Sequence, residues 1–369
     1  MMMMSSPLLA DSIYGSDAAT TTTLANYKPC GIENPGSLCY MISILQQLYA
    51  CDRFRESILS FTSSTSAMES SSVLSTLHEL FSSLLLKPSS EAIMVDQMLT
   101  SMLMTGRAAS SSSSTPSIDV QQDVAQYFSF LSSRIEASSA PVATAGEDSS
   151  VSIKASWVGG LVHIVQRGAT IDMRPEKFFY VSLNVRGSNG DVSRNNLRAA
   201  LQDFTSPLSF PISGAEIVKT CKFEHLPSRM FFHLKRFDYS YSAGVTLKIN
   251  EYFSFPQSLD MSEFLHKDAD ASSTPSSQSP ETNSSNMFAL SGVIVHKGSA
   301  SSGHYYSLVR RQRSDGSEEW IKLDDAQVTL FDATLLDSVC FGKRGRSNLE
   351  KGNLKDCENA IMVVYDKIT

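Results

Sequence analysis

A single cysteine, Cys39, lies where a polar loop is predicted to turn into an apolar helix. The preceding loop is rich in turn-forming residues, and Ile42, Leu45 and Leu48 follow at helical spacing. A cysteine at a helix N-terminus lies among unpaired backbone N–H groups that favour the thiolate, which is the nucleophilic form. The position therefore indicates a nucleophile, although a buried structural cysteine is the alternative for any cysteine taken alone.

The same loop carries a side-chain amide upstream of the cysteine. Asn34 could donate a hydrogen bond to an oxyanion that forms beside the sulfur of Cys39. A nucleophilic cysteine and an amide donor on one loop indicate acyl transfer, and this chemistry also requires a base.

His304 is the strongest candidate for that base, because it begins an alternating segment that turns and returns as a second strand. In a hairpin centred near Ser314, paired residue numbers sum to about 628, so Asp324 is predicted to lie opposite His304. A carboxylate there orients the imidazole and selects its tautomer. Asp325 is a second candidate, because a bulge would exchange the two carboxylates. An exposed polar rim is the alternative for the pair.

Composition excludes several classes of function. The 369 residues are 42% hydrophobic and 19% charged, which is typical of a globular protein. A formal net charge of -7 and the lack of a basic run argue against a nucleic-acid partner. Six cysteines without a C-x-x-C pair predict neither disulfides nor a zinc ribbon. We expect a cytoplasmic or nuclear protein with no membrane partner, because no signal-like or spanning segment is evident.

Helical and strand-like patterns occupy different halves of the chain. Residues 1–24 are rich in Met, Ser and Thr, and we expect a disordered leader there. Helical patterns fill 25–150, whereas 151–369 contains short alternating segments. A helix over 195–204 and a Ser- and Pro-rich insertion at 268–286, expected to be disordered, interrupt the strands. This order predicts an α+β fold with a mostly antiparallel sheet.

Several segments in this order resemble the ubiquitin-specific proteases. GIENPGSLCYMISILQQL resembles the cysteine box of that family, and SGHYYSLV with WIKLDD resembles its histidine box; QQDVAQYF, FFHLKRFDY and AIMVVYDK continue the similarity. QQLY, INEYFSFPQSLDM and SVCFG look closest to the fat-facets-like branch. The resemblance implies a papain-like cysteine protease fold of the ubiquitin-specific protease type. It has a helical thumb (25–150) and antiparallel β palm and fingers (151–369).

The resemblance also implies an activity and a role for each site residue. The domain would be a monomer that cleaves the bond after the C-terminal glycine of ubiquitin in ubiquitinated proteins. Cys39 would be the nucleophile, with His304 as base, Asp324 as orienting carboxylate and Asn34 as oxyanion donor. The residues expected to contact ubiquitin are Asp123, Gln46, Gln122 and Tyr305. For Asp123, a helix cap is an equally good explanation.

Two departures from the family pattern leave alternatives open. Leu38 and Ile42 stand where threonine and asparagine are usual, which keeps the triad but changes the packing around the loop. The fingers often carry two zinc-binding C-x-x-C pairs, but 163–174 and 210–223 contain only Cys221, so we expect no cofactor. An active thiol deubiquitinase is the leading prediction. A catalytically weak ubiquitin-binding scaffold and a protease for a ubiquitin-like modifier are the alternatives.

Overall fold

The computed structural model describes residues 27–60, 72–87, 91–95, 100, 103, 122–138, 157–186, 194–212, 215–242, 244–267, 286–313, 315–343 and 357–368. The expected leader at 1–24 and almost all of the insertion at 268–286 lie outside these residues. Within the described ranges, no helix is both long and apolar enough to cross a membrane.

The N-terminal half folds into helices where apolar spacing predicts them. They are α1 (Cys39–Tyr49), α2 (Asp52–Leu59), α3 (Val73–Leu86) and α4 (Val124–Ser138). Every residue of α1 is buried, because the helix lies between the other helices and the sheet. This burial fixes the helix that carries Cys39.

The main sheet contains the strands β3 (Val181–Asn184), β6 (Arg229–Lys235), β9 (Ser258–Asp260), β10 (Met287–Gly298), β11 (Gly303–Gln312), β12 (Glu318–Asp324), β13 (Gln327–Phe331) and β14 (Glu358–Lys367). Their order across the sheet is β13-β12-β11-β10-β14-β6-β3, and β9 pairs with the start of β10. All its pairs are antiparallel except β3 with β6.

A second sheet contains the four strands β1 (Gly159–Arg167), β2 (Thr170–Phe178), β4 (Leu208–Ile212) and β5 (Ala215–His225). Their order across the sheet is β2-β1-β5-β4. The remaining elements are the hairpin β7 (Phe237–Ser240) and β8 (Val245–Lys248), with helices α5 (Leu197–Thr205) and α6 (Leu336–Cys340). The fold is thus α+β with a mostly antiparallel main sheet, as predicted. The thumb boundary at residue 150 stays a prediction, since it falls outside the described ranges.

The central strands of the main sheet are buried on both faces. Met362 and Val364 of β14 pack with helices α1 to α4, whereas Val363 and Tyr365 pack into a second apolar cluster with α5 and α6. A strand between two cores has no solvent face, which explains the continuous apolar run in β14. The site strands β11 and β12 lie in this sheet.

Candidate active site

Cys39 is the first residue of α1, and its side chain is only 4% exposed. The loop before it is held by Asn34, whose Oδ1 accepts hydrogen bonds from the backbone N–H groups of Gly36 (3.1 Å) and Leu38 (3.1 Å). The serine one turn later, Ser43, donates from Oγ to the Cys39 carbonyl at 2.6 Å. The thiol therefore has a fixed position at a helix N-terminus, where the helix dipole favours negative charge.

His304 and Asp324 meet at 2.6 Å between Nε2 and Oδ1. They are not directly opposite as predicted, because paired numbers sum to 630, as for Ser307 and Leu323, and the turn is centred on Asp315. A centre one residue later moves each pairing by two positions and keeps the face of every side chain. His304 and Asp324 are consequently diagonal neighbours on one face of the sheet.

The charges around His304 stabilise its protonated form. Hydrogen bonds to Asp324 and then to Cys39 raise the pKa of His304 to about 10. Burial would raise the pKa of Asp324, but hydrogen bonds from His304 and Lys322 outweigh it and lower that pKa to about 2. At neutral pH the imidazolium is therefore the stable form, and it is hydrogen-bonded to Cys39 as well as to Asp324.

Asp325 has a different partner from the one expected. Its Oδ2 lies 4.0 Å from His304 Nε2 but accepts a hydrogen bond from Asn34 Nδ2 at 2.9 Å. The backbone shows no bulge here: Asp325 lies in the tight turn between β12 and β13 with φ at 52°. The Asp325 carbonyl also accepts from the Ile32 N–H at 2.9 Å. The two carboxylates are thus divided between the imidazole and the cysteine loop.

The cysteine loop reaches that turn only because residue 31 is glycine. A Cβ on Gly31 would lie 2.2 Å from the carbonyl oxygen of Ala326. No side chain fits at that distance, so the close approach depends on the glycine. It brings Asn34 within reach of Asp325.

Asp123 caps helix α4 and also faces the site. Its Oδ1 accepts hydrogen bonds from the N–H groups of Ala125 (2.9 Å) and Gln126 (3.0 Å). Burial raises the pKa of Tyr305, and negative charge on Asp123 and Cys39 raises it further. Tyr305 therefore lies close enough to Asp123 and Cys39 for their charges to affect it. The capping interpretation holds, and it leaves Oδ2 of Asp123 for another partner.

The other expected ubiquitin contacts differ among themselves. Gln46 is fully buried and donates from Nε2 to the Cys30 carbonyl at 2.8 Å, so its side chain lies in the core, and its contact with ubiquitin stays a prediction. A helix flanked by helices and sheet has no free face, which the isolated pattern of α1 did not reveal. Tyr305 is 3% exposed, whereas Gln122 is exposed, and both roles stay predictions.

The unusual residues of the cysteine box lie in the core. Leu38 is 1% exposed and Ile42 is 3% exposed, so neither side chain faces solvent beside the thiol. Lys322, in contrast, is absent from the residues predicted by sequence, although its Nζ lies 2.8 Å from Asp324 Oδ2. The available signal was its position two residues before Asp324 on one strand, which puts both side chains on the same face.

One group in the described part of the chain gathers three potential metal ligands within 4.8 Å of one another, namely His304, Asp324 and Asp325. Its carboxylates already accept hydrogen bonds from His304, Lys322 and Asn34. In the four-stranded sheet, His163 pairs with Glu176 at 2.6 Å. His304 and His163 are therefore each hydrogen-bonded to a carboxylate. That the domain is independent of zinc stays a prediction.

Comparison with known proteins assigns the family. Residues 30–365 match the sequence profile of the family described as "Ubiquitin carboxyl-terminal hydrolase". Ubiquitin carboxyl-terminal hydrolase 15 of Schizosaccharomyces pombe is 27% identical over 91% of this chain and 28% of its own length. Ubiquitin C-terminal hydrolase 13 of Arabidopsis thaliana is 25% identical over 91% of the chain and 29% of its own length.

A shorter match reaches higher identity: ubiquitin carboxyl-terminal hydrolase 9X of Mus musculus is 35% identical over 34% of this chain and 6% of its own length. The chain therefore spans less than a third of the length of these relatives. The fat-facets-like branch stays a prediction. Because the family profile covers most of the chain, the protein belongs to the ubiquitin carboxyl-terminal hydrolase family.

Proposed function

We propose that this chain is a thiol-dependent deubiquitinase, which hydrolyses the peptide or isopeptide bond after the C-terminal glycine of ubiquitin. One observation carries the proposal: the Cys39 thiol at the start of α1 is hydrogen-bonded to His304, and Asp324 holds that imidazole at 2.6 Å. A cysteine, a histidine and an orienting carboxylate in contact form a nucleophilic triad.

In the first half of the reaction, the Cys39 thiolate attacks the carbonyl carbon of the terminal glycine. A tetrahedral oxyanion forms and collapses when the bond to the amine breaks, and the proton on His304 passes to the leaving amine. A thioester between ubiquitin and Cys39 remains. Asp324 keeps the imidazolium in line with the sulfur during this transfer.

In the second half, His304 is neutral and accepts a proton from water. The resulting hydroxide attacks the thioester carbonyl, and the carbon–sulfur bond breaks to release the carboxylic acid of ubiquitin, which loses its proton to solvent, and the Cys39 thiolate. His304 keeps the proton that it took from water, as its raised pKa of about 10 favours. The site thus returns to its starting ionisation.

Asn34 supports both tetrahedral intermediates. Its amide nitrogen carries two hydrogens, of which one is donated to Asp325, so the other is left for the oxyanion. Because Asp325 and two backbone N–H groups fix the amide, it needs no reorganisation when charge develops. The remaining Oδ2 of Asp123 suits a basic residue of the ubiquitin tail, close to Tyr305.

A ubiquitin probe with a C-terminal vinyl electrophile tests the proposal. We expect one adduct at Cys39, identified by peptide mass spectrometry, and no adduct in Cys39→Ala. Binding of ubiquitin without an adduct would overturn the proposal in favour of the scaffold. An adduct only with probes built on ubiquitin-like modifiers would instead identify a protease for those modifiers.

The setting of this activity is part of the same proposal. All six cysteines are free thiols, and most are buried, which supports a reducing compartment such as the cytosol or nucleus. We also infer that the chain acts as a monomer on ubiquitinated proteins, without a nucleic-acid or membrane partner. The negative net charge supports the absence of a nucleic-acid partner.

A further inference from the structure

A buried lysine binds three backbone carbonyls close to the active site. Lys248, the last residue of β8, is 8% exposed, and its Nζ donates to the carbonyl oxygens of His296 (2.8 Å), Gly298 (3.1 Å) and Cys357 (2.9 Å). An ammonium group has three N–H donors, so all of them are used. This arrangement resembles a bound cation held by carbonyl dipoles.

Two of these carbonyls flank the backbone partner of His304. In the β10–β11 pair, Lys297 lies opposite His304 and Gly298 lies opposite Gly303. The carbonyls on either side of Lys297 point to the ammonium of Lys248. The ammonium therefore fixes the end of β10 where it pairs with the first residues of β11.

The third carbonyl joins this end of β10 to β14. Cys357, just before β14, accepts a hydrogen bond from the N–H of Gly298 at 3.1 Å as well as from Lys248. Gly298 has a φ of +114°, a backbone conformation that L side chains rarely adopt. Glycine adopts this conformation without a steric cost, so the chain can turn at the end of β10.

Side chains continue the connection towards the site. The His296 ring lies under Gly303, where a Cβ would come within 2.3 Å of His296 Nε2. The ring centroid of His296 is 4.6 Å from that of Tyr305 and 5.2 Å from that of Phe237. Phe237 pairs with Lys248 at the base of the β7–β8 hairpin. The hairpin base, the end of β10 and the start of β11 thus form one packed unit.

We propose that Lys248 is a positioning residue: its ammonium fixes the end of β10, and through the β10–β11 pairing it holds the His304 imidazole against Cys39. The expected effect of Lys248 on turnover rests on the proposed function. Its expected effect on the position of His304 rests on the geometry alone. The ammonium needs no carboxylate partner, since the negative ends of three carbonyl dipoles stabilise its charge. The hairpin that carries Lys248 thereby becomes coupled to the reactive histidine.

The interaction also depends on pH. Burial, followed by the charge of Arg236, lowers the pKa of Lys248 to about 7, while Cys357 and Glu358 oppose that shift. The other titratable group that faces the ammonium is His296, and burial lowers its pKa to about 3, so that ring stays neutral. Above about pH 7 the amine has two donors and a lone pair, which leaves one carbonyl without its donor. His304 is then held less firmly.

The first test compares Lys248→Met, which keeps the aliphatic stem, with Lys87→Met, the same change at an exposed ion pair at the end of α3. We expect kcat for a fluorogenic C-terminal amide of ubiquitin to fall about 10²-fold in Lys248→Met, with KM within about twofold. Lys87→Met should match the wild type. An unchanged kcat in a folded Lys248→Met would overturn the inference.

A second readout does not depend on ubiquitin. The rate of Cys39 alkylation by iodoacetamide, followed by mass spectrometry from pH 5 to 10, reports the thiolate that His304 stabilises. We expect the profile of Lys248→Met to move to higher pH, and a superimposable profile would contradict the inference. This assay gives its answer even if the wild type hydrolyses no ubiquitin substrate, so the two proposals fail separately.

The arginine variant covers the case in which Lys248→Met does not fold. Arg stays charged at all working pH values, whereas Lys248 loses its proton near pH 7. We expect wild-type kcat to fall above that pH and Lys248→Arg to lose this alkaline decrease. Identical pH profiles for the two proteins would overturn the role of the ammonium.

Discussion

The two sheets of this molecule differ in how far their apolar side chains are buried. The central strands of the main sheet, β6, β10 and β14, bury apolar residues on both faces, and the polar groups of its site have defined partners. The four-stranded sheet leaves large apolar side chains in solvent, with Ile171 at 60%, Leu208 at 58% and Phe210 at 42% exposed. One sheet is fixed by packing from two sides, whereas the other depends largely on pairing between its own strands.

This difference separates chemistry from recognition. Catalytic groups must be held to within a fraction of an ångström, which requires rigid, buried elements such as α1 and β11. Exposed apolar surface instead suits contact with another protein, and a less constrained sheet can adapt to it. Changes in the first region should therefore act on kcat, and changes in the second on KM and local stability.

The largest expected effect is loss of the nucleophile. Cys39→Ala should abolish the proposed hydrolysis while ubiquitin still binds, because the side chain contributes chemistry and little surface. Turnover of a fluorogenic ubiquitin amide and calorimetric binding measure the two properties. Cys221→Ala, which removes a half-buried thiol from the four-stranded sheet, is the control and should retain wild-type turnover. Wild-type turnover in Cys39→Ala would remove the nucleophile assignment.

Next in size is the effect of the orienting carboxylate. Asp324→Ala should lower kcat by about 10²- to 10⁴-fold, because the imidazole loses the partner that orients it. Asp325→Ala removes the partner of the Asn34 amide and a weaker, 4.0 Å contact with His304, so we expect a loss about tenfold smaller. Parallel kinetics on the two variants make the comparison. A larger loss in Asp325→Ala would show that the second carboxylate takes over the imidazole.

The contact between His304 and Asp324 was predictable from the sequence. The assumed centre of the hairpin was one residue early, yet Asp324 still shares a face with His304, because such an error shifts pairings by two. The partner of Asp325 could not be predicted, since it depends on a turn with positive φ and on the approach of Gly31. Contacts between loops that are distant in the chain produce no periodic pattern in the sequence from which they could be predicted.

The fold shows the same division. Helices α1 and α3 and the apolar strand β14 were predictable because their periodic or continuous apolar patterns are strong. Strand β2, with the sequence TIDMRPEKF, was not predictable, because it is mostly exposed and carries a proline and charged residues. Burial of Gln46 likewise follows from helices that pack from elsewhere in the chain. Tertiary context decides such positions.

A smaller loss is expected when the proposed oxyanion donor is removed. Asn34→Ala should lower kcat by roughly 10²-fold, because its free N–H acts only once negative charge has developed. The change also removes the acceptor for Gly36 and Leu38, so the melting temperature should be measured alongside kcat and KM. An effect confined to KM would make Asn34 a turn residue without a part in the chemistry.

The pH dependence of stability should be measurable but modest. The folded-state pKa of His304 is raised from 6.5 to about 10, so its stabilising contribution is complete below pH 6.5 and is lost as pH rises through about 10. The free energy of unfolding in urea should therefore differ more between the wild type and His304→Gln at pH 6 than at pH 10. Since the side chain is 36% exposed, solvent screens part of the effect. A constant difference would contradict the charged state proposed for His304.

The smallest expected effect is that of metal removal, which tests the four-stranded sheet. A structural zinc site needs about four sulfur or imidazole ligands, and in this sheet Cys221 lies opposite His163, whose ring is already bound to Glu176 at 2.6 Å. Pairing along β1 and β5 and their β-branched side chains would then hold the strands. We expect treatment with a strong chelator to leave the melting temperature and kcat unchanged, and elemental analysis to give less than one zinc per chain. Stoichiometric zinc together with unfolding on chelation would mean that the exposed sheet has a fixed metal centre, and the contrast between the two sheets would disappear.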